Sequence, residues 1–166
     1  MADEELLKWI RFAIELEEKG LNYYKECRQK VRHPMGMELF DFLVKAETGH
    51  KTALTGLLKA LSNDDPMRIS KAAEDFLKMN AKIPLFDRES LERVTGYNAS
   101  LHDMFNTAIR MEEEGIELYS DLAKKEKNPE LKKMFARLMN DEKFHKKELV
   151  SMGEFVFGVQ PTEEML

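Results

Sequence analysis

The chain has 166 residues, a formal net charge of −5, 43% hydrophobic residues and 34% charged residues, a soluble globular mixture far from the disordered class. A length of this order buries a full core without disulfides or a structural metal, and interspersed charges with no isolated Lys/Arg tract argue against nucleic acid as a partner. Cys27 is the only cysteine, which excludes an intrachain disulfide, a CxxC pair and a Cys₄ metal site, and leads us to expect a reducing, cytoplasmic setting.

The N-terminal stretch "MADEELLKWIRF" has no basic leader region or apolar h-region, so no targeting segment is expected. No stretch approaches the roughly 18 apolar residues of a membrane span, and no membrane association is expected. Apolar residues recur at intervals of three and four, which predicts an all-helical chain.

A first long helix is expected at about 3–31 and a second at about 34–61, with Pro34 in the first turn, where a missing N–H costs nothing. Residues 62–99 hold two weaker helical patterns, "PMRISKAAEDFLKM" and "DRESLERV", separated by Pro84. A helix of about 28 residues is about 40 Å long, and this segment is long enough to run back along one, so we read it as a crossover. A third long helix is expected at about 100–126, with Ser100 as a cap, and a fourth at about 129–150, with Asn128 as N-cap before Pro129. Residues 151–166 then form a C-terminal tail, whose apolar "FVFGV" is suited to docking on a neighbouring copy. The whole chain reads as one domain, 1–166.

Each long helix carries an apolar seam with alternating steps of four and three. The seams run through Leu6, Ile10, Ala13 and Glu17; Phe40, Leu43, Glu47 and His50; Leu101, Phe105, Ala108 and Glu112; and Leu131, Phe135, Leu138, Glu142 and His145. A glutamate interrupts every one. A shift of 95 residues superposes Glu17 on Glu112, Gly20 on Gly115, Tyr24 on Tyr119, Pro34 on Pro129, Glu47 on Glu142 and His50 on His145. The chain is therefore a duplicated helical hairpin, and the crossover makes the third long helix start at the same end as the second.

One Glu-x-x-His proves little, but two copies at the repeat offset and on the seams point to a ligand set. Residues i and i+3 share a helix face, so Glu47 with His50, and Glu142 with His145, can reach one metal from successive turns. Four seam glutamates would bring up to four negative charges into the core, where an unpaired carboxylate is very costly. Two divalent cations balance that charge, and two imidazoles complete a mixed oxygen and nitrogen set suited to iron or manganese. One Glu from each of two helices plus Glu-x-x-His from each of the other two is the ligand pattern of ferritin-like dimetal bundles.

The repeated patterns "AIELEEKGLNYY" and "AIRMEEEGIELY", each followed by Glu-x-x-His, resemble ferritin-like di-iron carboxylate proteins close to the rubrerythrin group. The resemblance covers both hairpins. It implies a ferritin-like four-helix bundle holding two iron ions per chain, with manganese or zinc as alternatives. Glu17 and Glu112 would be single-carboxylate ligands, Glu47 and Glu142 bridges, and His50 and His145 terminal ligands, with no catalytic residue beyond them. Tyr24 and Tyr119 resemble the family's tyrosines that hydrogen-bond a ligand carboxylate. Glu18 and Glu113 fall one position off the seam and are rejected as ligands. Two departures stand out: rubrerythrins proper carry a further glutamate where this chain has Gly115, and they usually add a rubredoxin-like iron domain that a single cysteine cannot build. Electrons would then come from an external donor such as a rubredoxin-like protein.

Gly20 and Gly115 lie one turn beyond ligand positions and are expected either to pack helices closely or to leave room for O₂ or peroxide. Asp141, next to Glu142, is a candidate to orient a histidine, although Ala46 holds the equivalent place. His33 and His102 are expected at the surface or at caps, and Cys27 as a small buried hydrophobe. The leading function is a di-iron oxidoreductase that reduces peroxide or O₂, a role in oxidative stress, with a homodimer or higher homo-oligomer as the expected assembly. The rivals are ferroxidase or iron storage, which needs a shell of many subunits, and a non-catalytic metal-stabilised bundle.

Overall fold

The computed structural model describes residues 4–63, 66–78 and 99–157. Five helices account for them: α1 (Glu4–Lys30), α2 (Pro34–Ser62), α3 (Pro66–Lys78), α4 (Ala99–Lys125) and α5 (Pro129–Phe157). No strand occurs among the described residues. The fold is the expected all-α, ferritin-like bundle, in which α1 pairs with α2 and α4 with α5.

Helix starts follow local chemistry. Asn128 Oδ1 accepts the backbone N–H groups of Glu130 at 2.9 Å and Leu131 at 3.3 Å, satisfying two of the donors that a helix leaves unpaired at its N-terminus. His33 precedes α2 with an extended backbone and makes no side-chain cap, and Pro34 occupies the first turn. The tight passage from α1 to α2 also needs Gly36, because a Cβ there would lie 2.6 Å from Val31 Cγ1. Helix α4 begins at Ala99, so Ser100 lies inside its first turn and does not precede the helix as expected.

The apolar seams meet in two separate clusters. One joins Ile10 and Ala13 of α1, Leu54 and Leu57 of α2, Leu118 and Leu122 of α4, and Leu131, Met134 and Phe135 of α5. The other joins Cys27 of α1, Leu39, Phe40 and Leu43 of α2, Phe105 and Ala108 of α4, and Leu149 and Met152 of α5. The end of α2 thus sits with the end of α4, so the two helices run in the same direction and the connection between them must traverse the bundle. Helix α3 begins that return, packing on α2 and α5 and adding Ala73 and Phe76 to the first cluster. The second pattern expected in the crossover, at 87–94, lies outside the described residues.

Helix α5 continues past its expected end near 150 to Phe157. Met152, three residues beyond Leu149, keeps the seam buried and so keeps the chain helical. Residues 151–157 are therefore helix and not tail, while 158–166 lie outside the described residues. Phe155 packs against the second cluster of its own chain, with its ring 6.2 Å from that of His33. None of the described helices is long and apolar enough to cross a membrane.

The Asn128 cap makes a measurable claim. Replacing it with Ala should cost about 1 kcal/mol, read as a lowered midpoint in thermal or denaturant unfolding, whereas His33→Ala should cost nothing through capping because His33 makes no such bond.

Candidate metal centre

Between the two apolar clusters lies a polar belt. Glu17 comes from α1, Glu47 and His50 from α2, Glu112 from α4, and Glu142 and His145 from α5; each is at most 4% exposed. The seams put them there, since each follows core residues at helical spacing on a face turned to the bundle axis. All six ligand-type residues expected from the sequence come together.

Both imidazoles turn Nδ1 toward the carboxylates. His50 Nδ1 lies 3.3 Å from Glu17 Oε2, 3.2 Å from Glu142 Oε1 and 3.6 Å from Glu47 Oε2. His145 Nδ1 lies 2.9 Å from Glu142 Oε2, 3.3 Å from Glu112 Oε2 and 3.5 Å from Glu47 Oε1. The two rings stack with centroids 5.6 Å apart. The donor atoms form two groups, Glu17, Glu47, His50 and Glu142, and Glu47, Glu112, Glu142 and His145, each within 4.8 Å and each able to hold a metal ion. Glu47 and Glu142 belong to both groups.

The tyrosines cross between the halves. Tyr24 donates its hydroxyl to Glu112 Oε1, and Tyr119 donates to Glu17 Oε1. Burial first, and then the neighbouring carboxylates, push both phenols well above their ordinary value, so they remain donors. Asp141 Oδ2 lies 3.6 Å from His50 Nε2, and Arg137 Nε donates to both Asp141 oxygens at 2.8 and 3.1 Å. Partial burial opposes ionisation of Asp141, but its contacts with His50 and Arg137 outweigh burial and hold the carboxyl below its ordinary range. Glu18 and Glu113 lie outside the cluster, as expected, and pair with Lys51 and Lys146 at 2.9 Å.

Gly20 and Gly115 flank the belt. A Cβ on Gly115 would stand 3.1 Å from Glu142 Cγ, and one on Gly20 would stand 3.8 Å from Glu47 Cδ. They help line a cavity of about 20 Å³ bounded by Leu16, Met111 and the four carboxylates, enough space for about one water molecule. A much larger groove, about 320 Å³, lies over Trp9, Phe12 and Lys125 on the outside of α1 and α4 and touches none of the six residues; Leu16 lines both spaces.

Of the remaining candidates, Cys27 is buried and unpaired, and burial pushes its thiol up to about 11, as befits a core residue and not a nucleophile. His33 is half-buried, and His102 lies 3.1 Å from Asn106 Nδ2; neither approaches the belt. Sequence reasoning did not find the aromatic walls: Phe76 of α3 stands 6.0 Å from the His50 ring and Phe42 stands 5.6 Å from that of His145. Phe76 belongs to the crossover, which has no counterpart in the repeat. The spacing of Arg137 and Asp141 was a readable i,i+4 pair.

The metal-free cluster balances its own charge with protons. Burial, and then Glu47, pushes Glu17 up to about 8; burial, and then Glu142, raises Glu112 well above its ordinary value. Burial works against ionisation of Glu47 and Glu142 as well, but it is outweighed, at Glu47 by a hydrogen bond with Glu17 and then contacts with both histidines, and at Glu142 by the histidines, so both carboxyls lie below their ordinary value. Burial likewise opposes the charged imidazoles, yet the carboxylates raise His50 and His145 well above the ordinary value. Protons kept by Glu17 and Glu112 and taken up by the imidazoles thus offset negative charge in the belt. Even so, Glu17 Oε2 and His50 Nδ1 are buried without a hydrogen-bond partner. Native interiors rarely leave such atoms unsatisfied, and these two face the same group of donors, so the residues present fit a bound cation.

The Rubrerythrin family model matches residues 8–152 of the chain. No curated protein and no solved structure matches it.

Protons held in the belt set a pH dependence for the metal-free protein. Glu17 keeps in the fold a proton that the unfolded chain loses near 4.5, so its contribution to stability is complete below that value and is lost as pH rises toward about 8. The raised histidines act with the same sign, their contribution being complete below 6.5 and lost through their higher folded values. The lowered Glu47 and Glu142 act oppositely, and their contribution disappears on acidification below 4.5. Melting temperatures of the metal-free protein should peak at about pH 5 to 6 and fall toward about pH 9; a profile rising across that interval would contradict the assignment.

Proposed function

The chain belongs to the rubrerythrin family, and we propose from that membership and the buried cluster that it is a di-iron oxidoreductase reducing hydrogen peroxide, or O₂, with electrons from an external donor. The observation that carries the reading is the pair of overlapping donor groups sharing Glu47 and Glu142. Glu47 and Glu142 would be shared between two adjacent cations, and Glu17 with His50, and Glu112 with His145, would complete the two sets. Two bound Fe(II) ions supply the electron pair that, with two protons, converts hydrogen peroxide into two molecules of water.

The chain's own residues supply order and exclusion. Tyr24 and Tyr119 fix Glu112 and Glu17 across the bundle, and the apolar clusters above and below keep bulk water from the belt. Gly20 and Gly115 leave the small cavity beside the carboxylates open, a space on the scale of one small molecule and too small for a larger organic substrate. Without a glutamate at 115 this chain has no additional carboxylate in that wall, so the reading involves the six ligands alone. A reducing, cytoplasmic setting and an electron donor outside these 166 residues complete the proposal, in keeping with the single cysteine.

The test is anaerobic Fe(II) titration of the metal-free protein followed by a peroxide pulse. The wild type should take up two irons per chain and release protons as it does so, since the ions would replace protons held by the buried carboxyls and imidazoles. Glu142→Ala, which removes a bridge, should bind fewer, and peroxide should oxidise the wild-type iron rapidly. Gly115→Leu should slow that oxidation at least tenfold by filling the cavity. Lack of stoichiometric binding would refute the dimetal site, and a fully loaded protein inert to peroxide and O₂ would refute the enzyme.

A further inference from the structure

Because the two donor groups are near copies, what differs around them is particular to this chain. The carboxylates do not distinguish them: each group contains Glu47 and Glu142 plus one further glutamate, Glu17 or Glu112. Both further glutamates accept a tyrosine hydroxyl from the opposite half. The difference lies behind the imidazoles.

His50 presents Nε2 to Asp141 Oδ2 at 3.6 Å, and Asp141 is itself fixed by Arg137 Nε on the preceding turn of α5. A displacement of about 0.5 Å would turn this ionic contact into a hydrogen bond. At the repeat offset Asp141 and Arg137 correspond to Ala46 and Phe42. The His145 ring accordingly meets the ring of Phe42 at 5.6 Å and that of Phe144 at 6.4 Å. All the carboxylates paired with His145 among the described residues face its Nδ1. One imidazole thus has an anion at its back, and the other has an apolar wall.

A carboxylate behind an imidazole holds the proton on the far nitrogen, fixes the ring and makes the near nitrogen a better donor to a cation. Arg137 offsets part of this charge, but its side chain is 33% exposed against 22% for Asp141, and it is Asp141 that contacts His50. The carboxylate in contact dominates at His50.

We propose that Asp141 makes the two metal positions unequal: the position formed by Glu17, Glu47, His50 and Glu142 fills first and holds its ion more tightly than the one formed with Glu112 and His145. The proposal rests on the dimetal reading above. Asp141 acts through His50 and is a positioning residue.

Cobalt(II) is a suitable probe, followed by its visible absorption during anaerobic titration of the full chain. The wild type should bind two equivalents in two resolved steps, the first at least tenfold tighter. Asp141→Ala should weaken the first step by about 10- to 100-fold and leave the second unchanged, bringing the two together. Asp141→Asn, which keeps the shape and removes the charge, should do the same and serves if the alanine variant loses helicity. In a His50→Ala background Asp141→Ala should have no further effect, and in a His145→Ala background it should keep its full effect, a pattern that general destabilisation would not give. Two equivalents bound without resolved steps, or an Asp141→Ala change that weakens both steps equally, would overturn the inference and leave the dimetal site standing. Absence of any stoichiometric binding would overturn both.

Discussion

Four glutamates in the middle of a helical bundle are the constraint from which the rest of this structure follows. Glu17, Glu47, Glu112 and Glu142 are each at most 4% exposed, and ionised carboxylates so placed destabilise a fold unless they are neutralised and hydrogen-bonded. Every nearby feature addresses that cost. Two histidines stand within the same turn spacing to share protons, two tyrosines cap the outer oxygens, and the apolar residues above and below are gathered into separate clusters large enough to hold the bundle despite the belt. A fold selected for stability alone would place leucines at these positions, and the paired seams show how easily it could.

Duplication is an economical answer to the same constraint. A single hairpin offers three ligand-type side chains on one face and nowhere to bury them. Two hairpins facing one another close the belt, and each completes the other: the tyrosine of one half bonds the glutamate of the other, and Glu47 and Glu142 enter both donor groups. The crossover follows from this arrangement. For α2 and α4 to run in the same direction, the chain must return the length of the bundle, and α3 uses part of that return to cover His50 with Phe76.

Most of this was legible in the sequence because it depends on periodicity. The seams at steps of three and four located the long helices, and the interruption of each seam by a glutamate located the belt. The paired Glu-x-x-His at one offset identified the ligand-type residues that gather in it. What could not be read depends on contacts between elements. The repeat register places Tyr24 seven residues after Glu17, yet Tyr24 bonds Glu112; only the packing of α1 against α4 decides that. Helix α5 outruns its expected end because Met152 continues the buried seam beyond Leu149, and an apolar stretch near a chain end reads equally well as a separate tail. Asp141 could be suspected from its place beside Glu142, but its partner is on α2, and no spacing within α5 reveals it.

The dryness that makes the belt costly also makes it discriminating. In water the difference between Asp141 and Ala46 would be screened to a small fraction of a unit charge at a distance of several ångströms. Here His50 is buried with its ring against that of Phe76, and the lower local dielectric screens that difference less than water would. A duplicated chain begins with two equivalent positions, and in such an interior a single substitution outside the ligand set is enough to make them distinct. Symmetry supplies the cage, and the places where the repeat departs from symmetry, Asp141 with Arg137 on one side and Ala46 with Phe42 on the other, are where the two halves can acquire separate roles without either ligand set changing.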